Sequence, residues 1–280
     1  MRHPPVWALR PPRSLHRPGR AAETDETVAG KRILLTGASS GIGRAAAVRL
    51  AAAGARLILV ARRADELEAV CAEIAAAGGS AEYRCCDLSN TGDVDRLAEW
   101  IRPRHSPIDV LVNNAGRSIR RPLTDSLDRF HDFERTVALN YLGPVRLTLA
   151  LLPAMLEHGS GHIVNVGTAT SAADTAPNFA AYFGSKSALA AFSRTANAEL
   201  AGTGIAVTSV NYPFVRTAMI APTASYADLP VLTAAEAAEW IVTAIRKRPV
   251  RIEPRYARSL RVLGAFAPRT VDKIVRRSGV

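Results

Sequence analysis

A tyrosine and a lysine four residues apart, Tyr182 and Lys186, are well suited to proton-transfer chemistry. The surrounding Ala- and Ser-rich run predicts a helix, in which this spacing places both side chains on one face. A positively charged ammonium favours the phenolate form of a neighbouring phenol, so the tyrosine could act as an acid or a base. The same spacing also arises by chance in unrelated chains, and the pair leaves open which nearby hydroxyl would hold a substrate oxygen.

A glycine-rich turn, TGASSGIG from Thr36 to Gly43, gives a second chemical signal. It follows a short apolar run and precedes a helical segment. Glycines in such a turn let the backbone approach a pyrophosphate, and the N–H groups at the start of the helix stabilise its charge. The turn therefore predicts a dinucleotide site.

The end of the second apolar run indicates which dinucleotide binds. A free ribose 2′-hydroxyl usually meets an acidic residue about 20 residues beyond the glycine turn, but here Ala61 is followed by Arg62 and Arg63. A guanidinium suits a 2′-phosphate because it makes charge-assisted hydrogen bonds. We therefore predict NADP(H) as the cofactor, with Arg62 as its ligand and Arg63 in solvent.

The elements that would position these residues alternate regularly along the chain. The runs that predict strands are RILLTG, RLILVAR, AEYRCCDL, IDVLVNNAG, GHIVNVG, IAVTSVNY and VRIEP. Helical segments separate them, and no internal repeat or second-domain linker is present. This pattern predicts an α/β fold, a single Rossmann-type domain with a doubly wound parallel sheet that binds ligands beyond the carboxyl ends of its strands.

The two ends of the chain differ from the predicted domain at residues 30–254. The net charge of +11 is concentrated at these ends. Residues 1–29 are predicted to be a disordered basic extension, because they are proline-rich and lack periodicity. Residues 255–280 form a basic amphipathic tail that Pro268 should divide into two short helical pieces. We weigh two interpretations of this tail. Its apolar residues either pack on a neighbouring subunit or over a ligand pocket, or they contact an anionic bilayer.

Composition restricts the function classes. No apolar run approaches the roughly 20 residues of a membrane span, and the mean hydropathy of +0.04 is typical of a globular protein. No interleaving of aromatic and basic residues supports nucleic-acid binding. Cys71, Cys85 and Cys86 lack metal-ligand spacing, so we expect reduced cysteines, no metal site and a cytoplasmic protein, with contact at the inner membrane face as the alternative location.

Taken together, TGASSGIG, Asp87-Leu88, NNAG at 113–116, Asn140 and the Tyr182/Lys186 pair resemble the motifs of the short-chain dehydrogenases/reductases. The resemblance covers roughly residues 30–250. It implies an NADP(H)-dependent enzyme that transfers hydride between nicotinamide and a carbonyl or secondary alcohol. The segment after the sixth predicted strand resembles actinobacterial members thought to act on lipid or acyl substrates.

The resemblance also implies site residues. The cofactor-binding positions are Gly37, Ser39, Gly41, Ile42, Gly43, Arg62, Asp87, Leu88, Asn113, Ala115, Gly116, Tyr182, Lys186, Val215 and Thr217. The implied catalytic residues are Asn140, Thr168, Tyr182 and Lys186. By this resemblance Tyr182 is the acid/base, Lys186 lowers its pKa and bonds the nicotinamide ribose, and Asn140 holds a water that links Lys186 to solvent.

Two positions depart from the family pattern. The family usually has a serine thirteen residues before the tyrosine, where this chain has Ala169. Thr168 lies fourteen residues before it and carries an equivalent hydroxyl, so one extra loop residue would restore the register; Ser171 and Thr170 are the alternatives. The second departure is Tyr212-Pro213, which stands in place of the usual Pro-Gly and predicts a different loop under the nicotinamide.

Three further expectations concern the substrate and partners. The segment from Met219 to Leu232 is predicted to cover a pocket for a hydrophobic carbonyl substrate, with apolar residues Met219, Ile220, Pro222, Tyr226, Leu229 and Leu232. Helices around residues 134–157 and 178–200 predict a homodimer or homotetramer, by resemblance. The alternative function is a non-catalytic NADP(H)-binding sensor or interaction protein.

Overall fold

Within the described residues 9–10, 27–221 and 231–277 of this computed structural model, seven strands form one parallel sheet. The strands are β1 Arg32–Thr36, β2 Arg56–Ala61, β3 Ser80–Cys85, β4 Val110–Asn113, β5 Gly161–Thr168, β6 Ile205–Tyr212 and β7 Arg251–Ile252. Their order in the sheet is β3-β2-β1-β4-β5-β6-β7. The order reverses between β1 and β4, and the crevice at such a reversal is where ligands bind in open α/β sheets.

Helices cover both faces of this sheet. They are α1 Gly41–Ala52, α2 Ala64–Ala76, α3 Thr91–His105, α4 Phe130–Val137, α5 Gly143–His158, α6 Ala180–Glu199, α7 Ala234–Lys247, α8 Arg255–Phe266 and α9 Pro268–Arg277. The predicted Rossmann-type α/β fold is therefore confirmed, including the short seventh strand, which pairs with β6 through Arg251 and Ile252.

The central strand shows why the strand sequences are apolar throughout. Ile33 and Leu35 of β1 are buried in one hydrophobic cluster, and Leu34 between them is buried in the second. Successive side chains of a strand point to opposite faces, so a strand covered on both faces needs apolar residues at every position. Leu34 pairs with Ile58 of β2 and Leu111 of β4, so the second cluster extends across neighbouring strands.

The two clusters hold different helices against the sheet. The first contains residues of α1 and α7, which pack closely through small side chains such as Ala47 and Ala237. The second contains Leu97 of α3 and Leu147 of α5. The start of α7 is set by a capping box, because the Thr233 side chain accepts from the Glu236 backbone while the Glu236 side chain accepts from Thr233.

The helical stretch Phe130–His158 continues through Gly143-Pro144 without a break. It widens one turn earlier into a π turn, Ala138–Leu142. Gly143 continues the helix and is close to the neighbouring chain, since a Cβ there would lie 2.2 Å from the Leu88 carbonyl oxygen. Glycine is needed at this position for packing and does not end the helix.

The same stretch corrects the expectation that no segment is apolar and long enough to span a membrane. By length and composition Phe130–His158 passes that test, with a mean hydropathy of 1.3 in its most apolar window. Its residues Leu147, Leu151 and Met155 are buried in the second cluster. The helix is therefore packed as a core element of the sheet domain.

Some predicted segments lie outside the described residues. They include most of the N-terminal extension at 1–29, the last residues of the tail at 278–280, and positions 222–230 of the predicted pocket cover. Pro222, Tyr226 and Leu229 are therefore not placed. Met219 and Leu232, at the two ends of that cover, are described.

Candidate active site

A cavity of about 700 Å³ lies at the carboxyl edge of the sheet. Its walls come from the loops that follow β1, β2, β3, β4, β5 and β6, from α6 and from the two C-terminal helices. These loops bring the sequence motifs together because the carboxyl ends of parallel strands meet at one edge.

The loop after β1 has a backbone that requires glycine at several positions. Gly37 and Gly41 adopt φ values of +66° and +53°, a region that side chains disfavour. Gly43 has an ordinary φ, but a Cβ on it would lie 2.0 Å from the Gly37 carbonyl oxygen. The turn can therefore pack directly against the start of α1 and leave room beside its backbone for a ligand.

The amino end of α1 faces this room without a capping side chain. Ser40 stands at the N-cap and makes no side-chain cap hydrogen bond, and the first turn contains no acidic residue. Ser39 and Ile42 line the cavity, as expected from the motif. The free N–H groups and the positive end of the helix dipole suit an anion, so these residues fit the pyrophosphate of a dinucleotide.

The ends of β2 and β3 form the next part of the wall. Arg62 and Arg63 are both exposed and both line the cavity, but Arg63 is already in an ion pair with Glu66 at 2.6 Å. Burial raises the pKa of Asp87, but hydrogen bonds from Ser89 and the charge of Arg62 outweigh it, so the pKa lies below its usual value. Asp87 is therefore anionic beside a cation. Leu88 and Cys86 complete this wall, and Cys86 was not among the predicted site residues.

The loop after β4 corrects one predicted position. Asn113 does not line the cavity; it is buried, and its amide donates to Asn165 Oδ1 at 2.8 Å and to Thr148 Oγ1 at 3.3 Å. Asn114 lines the wall instead, and it donates to the Thr36 carbonyl oxygen at 2.9 Å. Since side chains alternate along a strand, adjacent asparagines must face different surroundings, and only the fold shows which one faces the cavity.

The remaining expected residues of this loop, Ala115 and Gly116, do line the wall. Gly116 lies where a Cβ would be 3.2 Å from Asn140 Oδ1 and 3.4 Å from Lys186 Nζ. The loop after β4 therefore passes directly over the lysine.

Tyr182 and Lys186 lie one turn apart on α6, and both line the cavity. Lys186 is only 4% exposed, and its Nζ donates to the Val166 carbonyl oxygen of β5 at 2.8 Å. Burial lowers the pKa of Lys186 to about 8. Burial also raises the pKa of the Tyr182 phenol, and the neighbouring Thr168 hydroxyl partly offsets that rise. Tyr182 is thus protonated at neutral pH and can donate a proton.

The three candidate hydroxyls after β5 differ in placement. Thr168 ends β5, lines the cavity and bonds Thr170 through their hydroxyl oxygens at 2.9 Å. Ser171 does not line the cavity, and its hydroxyl donates back to the Thr168 carbonyl oxygen at 2.8 Å. Thr170 also lines the cavity, but the Tyr182 side chain hydrogen-bonds Thr168, so the structure favours Thr168 as its partner. The chain turns into a 3-10 helix, Ala169–Ala172, immediately after it.

Asn140 lies behind the cavity wall. It is fully buried in the π turn, and its amide donates to the Arg117 carbonyl oxygen at 2.9 Å and to Ser185 Oγ at 3.0 Å. Its Oδ1 accepts from the Arg117 backbone N–H at 2.9 Å. Asn140 thereby ties the loop over Lys186 to α6, the helix that carries it.

The loop after β6 contains the second departure from the family pattern. Tyr212 is 5% exposed, and its hydroxyl donates to the Ala237 carbonyl oxygen while its ring lies 5.3 Å from that of Trp240. The tyrosine thus anchors the end of β6 to α7. The predicted residues Val215 and Thr217 line the cavity, and Thr217 Cγ2 would lie 3.1 Å from a Cβ on Gly41.

The C-terminal tail, for which packing over a pocket was one of the two interpretations, forms one wall of the cavity. Tyr256, Leu260 and Val275 line the cavity, and Leu260 and Val275 pack with Ala173 in the loop after Thr168. Apolar residues at helical spacing were the available signal, but they did not reveal which surface they cover. We call the part lined by these residues the tail end of the cavity, and the part lined by the loop after β1 the glycine-loop end.

Comparison with known proteins supplies the family. A family model described as short chain dehydrogenase matches residues 31–227. The chain belongs to the short-chain dehydrogenase family. It is therefore an oxidoreductase of a family that binds a nicotinamide cofactor.

Named relatives of this short-chain dehydrogenase are similar over most of its length. A fatty acyl-CoA reductase of Mycobacterium tuberculosis is 50% identical over 273 residues, 96% of this chain and 92% of the relative. A fatty acyl-CoA reductase of Acinetobacter baylyi is 49% identical over 243 residues, 87% of this chain and 82% of the relative. A tryptophan variant of actinorhodin polyketide ketoreductase, solved with NADPH, is 31% identical over 77% of this chain and 90% of that chain, with a TM-score of 0.71.

Proposed function

We propose that this short-chain dehydrogenase uses NADPH to reduce the carbonyl of a fatty acyl-CoA. One observation carries the proposal: a single cavity joins a glycine-loop end suited to a dinucleotide with an apolar tail end, and Tyr182 and Thr168 line the same space. The two relatives named fatty acyl-CoA reductase support the choice of acyl substrate, because each matches over more than four fifths of its own length.

The chain's own groups fit the parts of the cofactor. Gly37 and Gly43 would let the pyrophosphate approach the backbone, where the N–H groups of α1 receive it. Arg62, which is exposed and lines the cavity, would bind the 2′-phosphate through charge-assisted hydrogen bonds. When bound, the nicotinamide cofactor supplies the hydride.

Side chains of α6 and of the end of β5 would carry out the proton transfer. Thr168 would donate a hydrogen bond to the carbonyl oxygen and stabilise the charge that develops on it. Tyr182 would donate the proton that this oxygen requires, because its raised pKa keeps it protonated. Lys186 would hold the ribose and favour loss of that proton when its ammonium is charged. Asn140 would position Lys186 through the loop at Arg117.

The overall reaction balances with no reactant beyond the acyl-CoA, NADPH and a proton. Hydride addition to the acyl carbon and protonation of its oxygen by Tyr182 would give a hemithioacetal. Its collapse re-forms the carbonyl and breaks the carbon–sulfur bond, and the hydroxyl proton passes to the departing thiolate. The products are a fatty aldehyde, free CoA thiol and oxidised cofactor, and Tyr182 regains its proton from solvent, so the reaction consumes one NADPH and one proton. The acyl chain would lie against Tyr256, Leu260 and Val275, whose burial of apolar surface favours binding by about 25 cal/mol per Å².

The decisive assay measures NADPH oxidation with a long-chain acyl-CoA and identifies the aldehyde and the released thiol. Tyr182→Phe should lower kcat about 10³-fold while NADPH binding stays unchanged, since only the acid is removed. Cofactor binding without turnover on any acyl-CoA or ketone would instead support the sensor function.

We also propose a homodimer or homotetramer. Leu142, Leu149 and Leu156 stand seven residues apart on the long helical stretch and are 47%, 57% and 42% exposed. This spacing makes one apolar stripe on a helix, a feature that marks protein contact surfaces. A monomer by light scattering at micromolar concentration would contradict the proposal.

Cytoplasmic location of the protein stays a prediction, and cell fractionation tests it.

A further inference from the structure

Helix α8 has two faces of different character. On the inner face Ala257 is buried, and Tyr256 and Leu260 line the cavity. On the outer face Val262 is 62% exposed and Phe266 is 87% exposed. Leu263 beside them is 36% exposed. Large apolar side chains this exposed, close together at one end of a helix, mark a contact surface.

Exposed cations lie on α8 and on α9, the helix that packs against it. Arg258 of α8 and Arg269, Lys273 and Arg276 of α9 are all exposed. Acids are fewer than cations here. Glu253 is buried and already accepts from Arg261 at 2.9 Å, and Asp272 of α9 is the acidic residue within the described α8 and α9.

Exposed apolar side chains together with exposed cations indicate what kind of surface α8 contacts. Apolar residues of an amphipathic helix insert at the boundary between headgroups and acyl chains, while Lys and Arg side chains reach anionic headgroups. A second copy of this chain meeting the same face would bring the cations of both copies together, and like charges repel. The charge pattern therefore favours an anionic lipid surface over self-association.

We propose that the outer face of α8, with the neighbouring cations of α9, docks this enzyme on an anionic lipid bilayer. Since the inner face of the same helix lines the tail end of the cavity, docking would bring the cavity wall close to the membrane surface. This interaction goes beyond the proposed reaction and does not depend on which carbonyl compound is reduced.

Co-sedimentation of the full chain with vesicles tests the proposal. The protein should bind vesicles of equal parts phosphatidylglycerol and phosphatidylcholine at low salt, and bind phosphatidylcholine vesicles far less. Binding should fall as salt is raised, because screening shortens the reach of the attraction. Full-length protein that stays in the supernatant with anionic vesicles at low salt overturns the proposal.

Matched substitutions locate the surface. Phe266→Ser should weaken vesicle partitioning about tenfold, as expected for losing one buried aromatic side chain. Arg269→Gln and Lys273→Gln should each weaken it about fivefold. Val262→Ser should weaken vesicle partitioning several-fold. Val250→Ser is the control and should not weaken it, because Val250 is 42% exposed but precedes β7, whereas α8 begins after the carboxyl end of that strand. Equal losses for the two valine variants would overturn the proposal.

Two further measurements separate the other outcomes. Turnover of a soluble acyl-CoA without vesicles should be unchanged in Phe266→Ser, so a failure of catalysis and a failure of docking can be told apart. Light scattering should give the same oligomeric state for Phe266→Ser and the wild type. A smaller assembly in this variant would show that the face joins copies of the chain and would overturn the lipid assignment.

Discussion

The glycine-loop end of the cavity is built from residues close together along the chain, whereas the tail end is assembled from segments far apart. Gly37 lies in the turn after strand β1, and Gly41 and Gly43 lie in the first turn of helix α1 that follows it. At the tail end, Ala173 meets Leu260 and Val275, which lie on two other helices. Where a site depends on one local backbone conformation, a substitution that adds a side chain disrupts it. A wall of packed apolar side chains can repack around a substitution.

The most sensitive position at the glycine-loop end should be Gly43. A methyl group there would contact the Gly37 carbonyl oxygen at 2.0 Å, so Gly43→Ala must shift the backbone that receives the cofactor. We expect NADPH binding to weaken at least about 100-fold, given the cost of overpacking against backbone. Calorimetric titration measures this. Gly184→Ala is the control, because a Cβ there has nothing within 4 Å.

Catalysis, which takes place between the two ends of the cavity, should depend on the Thr168 hydroxyl. Thr168→Ala should lower kcat about 100-fold, the loss typical of one oxyanion donor. Thr168→Ser keeps the hydroxyl and should retain most activity. Ser171→Ala should behave like the wild type, since that hydroxyl donates to backbone. Steady-state kinetics of all three variants check the assignment, and a damaging Ser171→Ala would reverse it.

The pH dependence should report Lys186. Its pKa, lowered by burial to about 8, means that the free enzyme loses the ammonium as pH rises through 8. If the charged form binds the ribose, kcat/KM for NADPH should fall about tenfold per pH unit above that value. The Tyr182 pKa is raised, so Tyr182 does not account for this limb. In Lys186→Arg the limb should disappear, because a guanidinium stays charged; an unchanged limb would assign it to another group.

The preference for NADPH over NADH should depend on Arg62, with an effect smaller than those expected for Gly43 and Thr168. Arg62→Ala removes the cation that would meet the 2′-phosphate, and hydrogen bonds to charged groups contribute about 1.5–3 kcal/mol. The affinity ratio of NADPH to NADH should therefore fall about tenfold or more. Arg44→Ala should leave the ratio unchanged, since Arg44 pairs with Glu73 and does not line the cavity. Wild-type protein with equal affinities for the two cofactors would contradict the prediction.

A single substitution at the tail end of the cavity should have the smallest effect on catalysis. Leu260→Ala enlarges the apolar wall, and we expect kcat/KM for a long-chain acyl-CoA to fall about fivefold through lost burial. NADPH affinity should stay unchanged because the glycine loop is untouched. Kinetics across acyl chain lengths measure this, and an equal loss for the shortest and longest chains would show that Leu260 supports the fold and not the chain.

Local patterns in the sequence were sufficient to predict the sheet, the glycine turn and the Tyr182/Lys186 pair. Alternation of apolar runs and helical segments specifies a parallel sheet, and a four-residue spacing places two side chains on one helix face whatever else the helix contacts. Gly43 illustrates the same principle, because the close contact it permits lies within its own turn.

Only the tertiary structure decided which of two adjacent or similar residues enters the cavity. The sequence presents Asn113 and Asn114 side by side, and packing of β4 buries the first against Asn165. It presents Thr168 and Ser171 as comparable hydroxyls, and the turn after β5 directs the second to backbone. The apolar face of the tail was visible as a pattern, but its contact with Ala173 depends on long-range packing. Orientation and long-range contact are properties of the assembled chain, since they depend on neighbours that local spacing does not specify.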